Sequence, residues 1–570
     1  MHPSEHRFDS SAPSRRCFLQ TLGALGVGGG LFPGSLWAVS DGAREITVDA
    51  IKAAEELAGL SFTDADRALM LQALREARAG FEAMRAVEVD IEMPPAFLFD
   101  PFLAAGEKAA GVVQRSTRPA FGPDVETRPT KDVDLAFAPL AVLAALLRRK
   151  AVTSVELTKI FLARIASHDA SLHAVVTTLA EAALAEAAER DRELEKGVDR
   201  GPLHGIPYGA KDILAARGAP TTWGAKPTKD QVRDYDAAVV EKLRESGAVL
   251  IAKLTTGALA MGDRWFGGMT RNPWRLEEGS SGSSAGPAAA TVAGLVPFAI
   301  GSETLGSIVS PSLRSGATGH RPTFGRVSRY GAMALSWTMD KLGPIARSAA
   351  DCALVFAAIH GRDRRDPSSR SASFDAGGMP AGSLKIAYCP ESFPKDSESW
   401  REIVADLQAA NHGVAPAAVA LPKLPTAGLM TILEAESAAA FDDFVRAGRE
   451  RELDDQKEND WPNSFRAGRF IPAVEYIRAQ RIRTLLCREL AKLFADIDAL
   501  VLPPYYGSML LVTNLTGHPA VTLPTGFRKN GTPIGLTMIG RLDGDDRLLA
   551  AAALYQQKTG HHRKRPPAFS

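Results

Sequence analysis

Apolar positions recur with helical period twice near the start of the chain. Ile51, Ala54, Leu57 and Ala58 predict one helix, which Gly59 ends. Thr63, with Asp66 three residues on, predicts the N-cap of a second helix, whose inner face carries Leu69, Met70, Ala73, Leu74, Ala77 and Phe81. The pair reads as a small N-terminal helical unit over 46–92, followed by a proline-punctuated linker or strap over 93–133. From Asp134 to the C-terminus (134–570) the texture becomes α/β. Helical runs such as Leu140–Arg149 and Ser154–Ile165 alternate there with short β-branched segments such as Ala248–Ile251. Residues 363–382, rich in Ser, Asp, Arg and Gly, read as a surface loop or junction. Residues 430–497 are again largely helical, and Ala499–Leu502 and Ala520–Leu523 read as strand sequence.

Ahead of this body, Arg15-Arg16 precede Cys17-Phe18-Leu19 and a Gly-rich apolar run from Thr21 to Trp37. A basic pair, a mild hydrophobic stretch and small residues near Ala38 to Ser40 predict an export signal over residues 1–40. It resembles a twin-arginine signal. The run is shorter and more interrupted by glycine than the roughly 20 apolar residues of a spanning helix. The expectation is cleavage after Ala38 or Ser40 and a periplasmic or extracellular protein without lasting membrane insertion.

Charge and cysteine usage narrow the function classes. The 67 basic residues nearly balance 66 acidic ones, which gives no electrostatic reason to expect nucleic acid as a partner. Cys17, Cys352, Cys389 and Cys487 have no metal-ligand spacing and the histidines form no HExxH-like cluster, so no metal site is expected.

Three segments are rich in small residues without an obvious packing purpose. In GPLHGIPYGAKD (201–212), Lys211 follows a turn and an apolar stretch. A lysine is usually solvated, but burial here would make it a neutral base. GSSGSSAGPAAA (279–290) precedes an Ala-rich helix and suits a backbone that turns tightly and presents hydroxyls or amides. Within it, Gly282-Ser283-Ser284-Ala285-Gly286 matches the G-x-S-x-G nucleophile elbow, which requires a strand directly before it. Trp274 to Gly279 does not read as one. In AIGSETLGSIVSPS (299–312), an apolar run enters a turn whose successive amides could bind an oxyanion, with Ser307 at its end.

A lysine, a Gly/Ser segment and a second serine 24 positions after the first (307 − 283) resemble, in that order, the amidase signature family. The likeness continues through GHRPTFGRVSRYGAM (319–333), MDKLGPIARSAADCAL (339–354) and GHPAVTLPTGF (517–527). The resemblance implies an α/β domain on a twisted mixed sheet of about eleven strands, covered by helices on both faces, and no cofactor. It implies a triad of Lys211, Ser283 (carried on a cis peptide) and the nucleophile Ser307, with the backbone amides of Thr304, Leu305, Gly306 and Ser307 as oxyanion hole. The implied substrate is a small-molecule amide, and the chain gives no indication of oligomeric state. Arg264, Trp265, Phe266 and Trp337 are candidate pocket residues.

Two positions depart from the family pattern. Leu305 stands where many members have glycine, and Val309 where they have an arginine, which leaves open how Glu303 is neutralised. A related alternative is the glutamine-hydrolysing A subunit of a tRNA-dependent amidotransferase. It shares the triad, but the export signal and the lack of a clear glutamine-clamping arginine over 430–490 argue against it.

Overall fold

A computed structural model of the protein describes residues 45–88, 116–117, 127–375, 384–393 and 398–570. The expected export signal and most of the expected strap lie outside these residues. Eleven strands form one mixed sheet. They are β1 (Val175–Thr178), β2 (Pro207–Lys211), β3 (Val249–Leu254), β4 (Ala299–Glu303), β5 (Thr318–Arg321), β6 (Lys341–Ala346), β7 (Ile386–Tyr388), β8 (Ala417–Ala418), β9 (Ala499–Leu502), β10 (Ala520–Phe527) and β11 (Pro533–Gly540). Their spatial order is β8-β7-β9-β11-β10-β5-β6-β4-β2-β3-β1.

The central strands β2, β3, β4, β5 and β6 are buried along their whole length, which explains why they carry small and apolar runs rather than an alternating pattern. Neighbouring residues on one strand feed separate cores. Leu250 and Ile300 belong to the larger cluster, whereas Val249, Ile251 and Ala299 belong to the smaller one. The sheet is thus covered on both faces, as the family resemblance implied.

The helices that concern the site are α1 (Val48–Ala58), α2 (Asp64–Arg85), α3 (Ala285–Val292), α4 (Val309–Ser315), α5 (Thr431–Ala440), α6 (Trp461–Gly468), α7 (Ala473–Leu493) and α8 (Met509–Thr516). At the start of α2 the Thr63 hydroxyl accepts from the Asp66 N–H and the Asp66 carboxylate accepts from the Thr63 N–H, so two orphan donors are satisfied reciprocally. Gly59 ends α1 at φ 62, where a Cβ would be strained. The hairpin docks on the α/β body through buried Met70, Phe81 and Met84. Polar links join it to α6 and α7: Asp66 to Arg466 at 3.2 Å, Arg85 to Glu475 at 2.6 Å, and Asn463 to the Leu69 carbonyl at 3.0 Å.

Two expectations change. Arg275–Gly279 is a strand after all, paired with Arg271–Asn272 in a ribbon apart from the large sheet. Its polar face hid it: Arg275 and Glu277 are exposed while Leu276 turns inward. Within the expected loop over 363–382, Phe374–Asp375 pairs in parallel with Ser116–Thr117. Among the described residues no helix is long and apolar enough to cross a membrane.

Candidate active site

Strand order puts three of the singled-out segments in contact. Parallel neighbours β2 and β4 end side by side, with Gly209 opposite Ala299 and Ala210 opposite Ile300. Lys211 closes β2, and Ser302 and Glu303 close β4. Lys211 is 0% exposed, and its Nζ donates to Ser283 Oγ at 2.7 Å and to Ser302 Oγ at 2.8 Å. No carboxylate among the described residues forms an ion pair with it. Burial therefore prevails over the more distant attraction of Asp340 and Glu303, and lowers its pKa from 10.5 to about 7. The adjacent Asp212 is fully committed elsewhere, to Lys253 at 2.7 Å and to the Thr222 N–H at 2.9 Å. Of these two buried lysines, one is matched by a carboxylate and Lys211 is matched only by hydroxyls.

Ser283 arrives on a segment pressed against another backbone. A Cβ on Gly282 would lie 1.8 Å from the Gly262 carbonyl oxygen, so only glycine fits. The Gly282–Ser283 peptide is cis, as the resemblance implied. Ser284, next in line, serves structure. Its buried hydroxyl donates to the Ser302 carbonyl and accepts from the Ser302 N–H, both at 3.1 Å, which ties the start of α3 to β4. The serine that G-x-S-x-G would make a nucleophile is Ser284, and its hydroxyl is sealed in these bonds. The strand before them lies outside the main sheet, so no strand–elbow–helix unit exists here.

The turn after β4 brings Ser307 beside this segment: the Ser284 N–H donates to the Ser307 carbonyl at 3.1 Å. Ser307 is half-buried, and its hydroxyl makes no hydrogen bond among the described residues. The N–H groups of Leu305, Gly306 and Ser307 likewise donate to no acceptor among the described residues. A turn with several unclaimed amides beside a free hydroxyl can receive an anionic oxygen. Gly306 takes the left-handed conformation, φ 86, whereas Leu305 does not. The departure at 305 is therefore tolerated because the strained angle falls on its neighbour.

Glu303 staples this turn. One carboxylate oxygen accepts from the Ile308 and Val309 N–H groups at 2.8 and 2.9 Å. The other accepts from Arg321 Nη1 and Asn514 Nδ2, both at 2.8 Å. Burial alone would raise this carboxyl; the Arg321 guanidinium, with the hydrogen bonds, outweighs it and holds the pKa at about 2. The cation missing at Val309 is thus supplied from β5. Sequence reasoning missed Arg321, Asn514, Ser302 and Asp340. The only signal for Arg321 was its place in the GHRPT stretch together with an unmatched Glu303.

A cavity of about 450 Å³ opens over Ser302 and Thr304. Its walls include Ile213, Met333, Leu335, Leu342 and Trp337. Asp340 lies on its floor, where it accepts from the Thr304 hydroxyl at 2.6 Å and from the Leu335 and Ser336 N–H groups. Of the aromatic residues singled out in the sequence, Trp337 lines this cavity; Trp265 and Phe266 do not. Those two pack edge-to-face, 4.8 Å apart, at the ribbon of Arg264–Trp265 and Gly268–Met269, and Arg264 borders a separate hollow with Trp461. Among the described residues no cluster of three or more His, Cys, Asp or Glu could hold a metal ion.

The Amidase family model matches residues 156–549. The chain is 34% identical over 488 residues to the A subunit of the glutamyl-tRNA(Gln) amidotransferase of Methylococcus capsulatus, covering 76% of this chain and 99% of that one. The native peptide amidase of Stenotrophomonas maltophilia superposes with a TM-score of 0.66 at 29% identity, covering 77% of this chain and 100% of that one. An amidase family protein of Bacillus anthracis gives 0.67 at 25% identity, over 78% and 95% of the two chains. With the family model spanning most of the α/β body and relatives aligned over nearly their full length, the chain belongs to the amidase family and is a hydrolase of carbon–nitrogen bonds.

Proposed function

We propose that the protein hydrolyses a carboxylic amide through an acyl-enzyme on Ser307, with Lys211 and Ser283 as proton relay. The observation that carries this reading is the 2.7 Å contact from a wholly buried, near-neutral Lys211 amine to Ser283 Oγ. In the reacting form the neutral amine draws the Ser283 proton as Ser283 takes that of Ser307, and Ser307 Oγ attacks the amide carbon. The carbonyl oxygen, now anionic, is received by the N–H groups of the turn from Thr304 to Ser307. Ser283 then passes a proton to the leaving amine, and water, deprotonated through the same relay, releases the acid. Asp340 and Glu303 hold the turn and do not exchange protons with substrate.

The test is to quench the enzyme with an activated aryl ester and map the acyl group by peptide mass spectrometry. An adduct on Ser307 is expected; an adduct on any other side chain, or none, refutes the assignment. A second reading, glutamine hydrolysis within an amidotransferase complex, draws on the identity to the Methylococcus capsulatus protein. It would require glutamine turnover that rises on adding partner proteins. Arg15-Arg16 and the apolar run after them support export of the folded protein, and an exported enzyme would be kept away from aminoacylated tRNA.

A further inference from the structure

From the cavity over Ser302 and Thr304 we infer that the substrate is an uncharged amide bearing an aromatic or branched apolar group, and that a free α-amino acid amide such as glutamine is not. This rests on the hydrolase reading above and adds the substrate class. A cavity of about 450 Å³ is in the range that holds whole small molecules, roughly 300–1,000 Å³. That is far more room than a short aliphatic amide fills.

Ile213, Met333, Leu335 and Leu342 give the cavity an apolar side, Arg329, Asp340, Arg365 and Asp366 also border it, and one wall residue is a mounted aromatic. Trp337 is 48% exposed at the cavity, an uncommon state for so large an apolar side chain. Its backbone is nonetheless held from several sides. Arg329 Nη1 donates to the Trp337 carbonyl at 2.5 Å. On one side Ser336 donates to Glu436 at 2.6 Å. On the other, Thr338 donates to Glu436 through its N–H at 3.0 Å and its hydroxyl at 2.7 Å, and its carbonyl accepts from Arg483 at 2.6 Å. Glu436 and Arg483 sit on α5 and α7, so a free indole face is carried on a rigid mount. Such a mount suits an apolar group that stacks on it.

The charged groups around the cavity point the same way, because each already holds partners within the protein. Asp340 takes three donors from the chain. Arg329 lies against Asp366 and donates to Ser368 at 2.6 Å. Arg365 pairs with Glu241 and Asp363. A glutamine headgroup would bring a carboxylate and an ammonium, and the charged groups of the described wall are already engaged by the chain. Desolvating charges that gain no new partner is costly, whereas burying an aromatic ring is favourable.

The experiment compares kcat/KM for 3-phenylpropanamide, N-(2-phenylethyl)acetamide, propanamide and glutamine on the full purified chain, with Ser307 titrated by a fluorophosphonate. At least one aryl amide should exceed both propanamide and glutamine by about tenfold or more, as burial of a ring predicts. Trp337→Ala should lower that value by about tenfold, chiefly through KM, and lower the value for propanamide by a clearly smaller factor; Trp337→Phe should keep most of it. If Ser307 is labelled yet glutamine is the better substrate, or Trp337→Ala affects all amides alike, the substrate class is wrong while the serine-hydrolase reading stands. If Ser307 takes no label and no amide turns over, the underlying reading falls and this one with it.

Discussion

Arg321 Nη1 lies 2.8 Å from Glu303 Oε1, with both side chains wholly buried, so a cation on β5 neutralises the carboxylate that staples the turn leading to Ser307. The same guanidinium reaches the Thr513 hydroxyl and the His518 carbonyl, each at 2.9 Å, which fixes its direction. A planar fork with several donors can serve three acceptors at once, and a single ammonium cannot match that geometry. The chain thereby dispenses with a cation at Val309, inside the turn's own helix, by drawing one from across the sheet.

Removing that cation should cost both stability and rate. Arg321→Met leaves Glu303 buried without a counter-charge, a loss of about 3–5 kcal/mol, read as a lower urea midpoint. Its kcat should fall about 100-fold with KM changed little, the size expected when oxyanion donors lose their place. Adding Glu303→Gln should restore much of the stability, because the pair is then neutral. Arg321→Lys keeps the charge and should fold while retaining reduced activity. Equal kcat in wild type and Arg321→Met would show that the turn holds its shape without this pair.

Ser307 and Ser284 should separate cleanly. Ser307→Ala should remove at least about three orders of magnitude in kcat, since no acyl-enzyme can form. Ser284→Ala deletes a hydroxyl that makes two hydrogen bonds to Ser302. It should cost about 1–3 kcal/mol of stability and leave far more activity. Fluorophosphonate labelling followed by peptide mapping decides the matter: attachment to Ser284 would reinstate the elbow reading.

What the sequence showed and what it hid divide along the range of the interactions. Thr63 and Asp66 form a cap three residues wide, and Gly59 ends a helix by its own φ, so both were legible locally. Lys211, Ser283 and Ser307 stood out as candidates because each sits in a run of small residues that packing alone does not require. Burial of Lys211 follows from β2 lying between two other strands, which a surface-lysine prior could not anticipate. The Glu303–Asn514 bond spans 211 positions and has no spacing to detect. Trp265, Phe266 and Trp337 are alike as sequence, and only topology puts the first two at a separate ribbon and the third on the cavity. Arg275–Gly279 escaped because a strand in a two-stranded ribbon needs no second apolar face.

Export should depend on Arg15 and Arg16. Replacing both by lysine keeps the charge but removes the paired guanidinium groups that a twin-arginine receptor reads. The precursor should then remain inside the cell, and the wild-type product should begin near Val39 or Asp41 by N-terminal sequencing. Unchanged secretion of the double-lysine variant would assign the segment to another route.

The pH dependence of turnover should follow Lys211. Burial lowers its pKa to about 7, against the pull of Asp340 and Glu303, so the amine is protonated in mild acid and neutral above. If the neutral form is the base, kcat should fall about tenfold per unit below that pKa and level off above pH 8. Lys211→Ala should lower kcat by about 10²–10⁴-fold, and Lys211→Arg should not recover it, because a guanidinium stays protonated. Stability supplies a second readout. Between about 7 and 10.5 the native amine is neutral while the unfolded one is still charged. The unfolded state therefore binds more protons, and stability rises with pH across that window. Lys211→Met abolishes this slope. It should be more stable than wild type at neutral pH, most of all below pH 7, with the advantage fading towards pH 10.5. A Met variant less stable than wild type at pH 7, or an Arg variant with near-normal kcat, would mean that Lys211 holds the loop as a cation, and the relay through Ser283 would have to be given up.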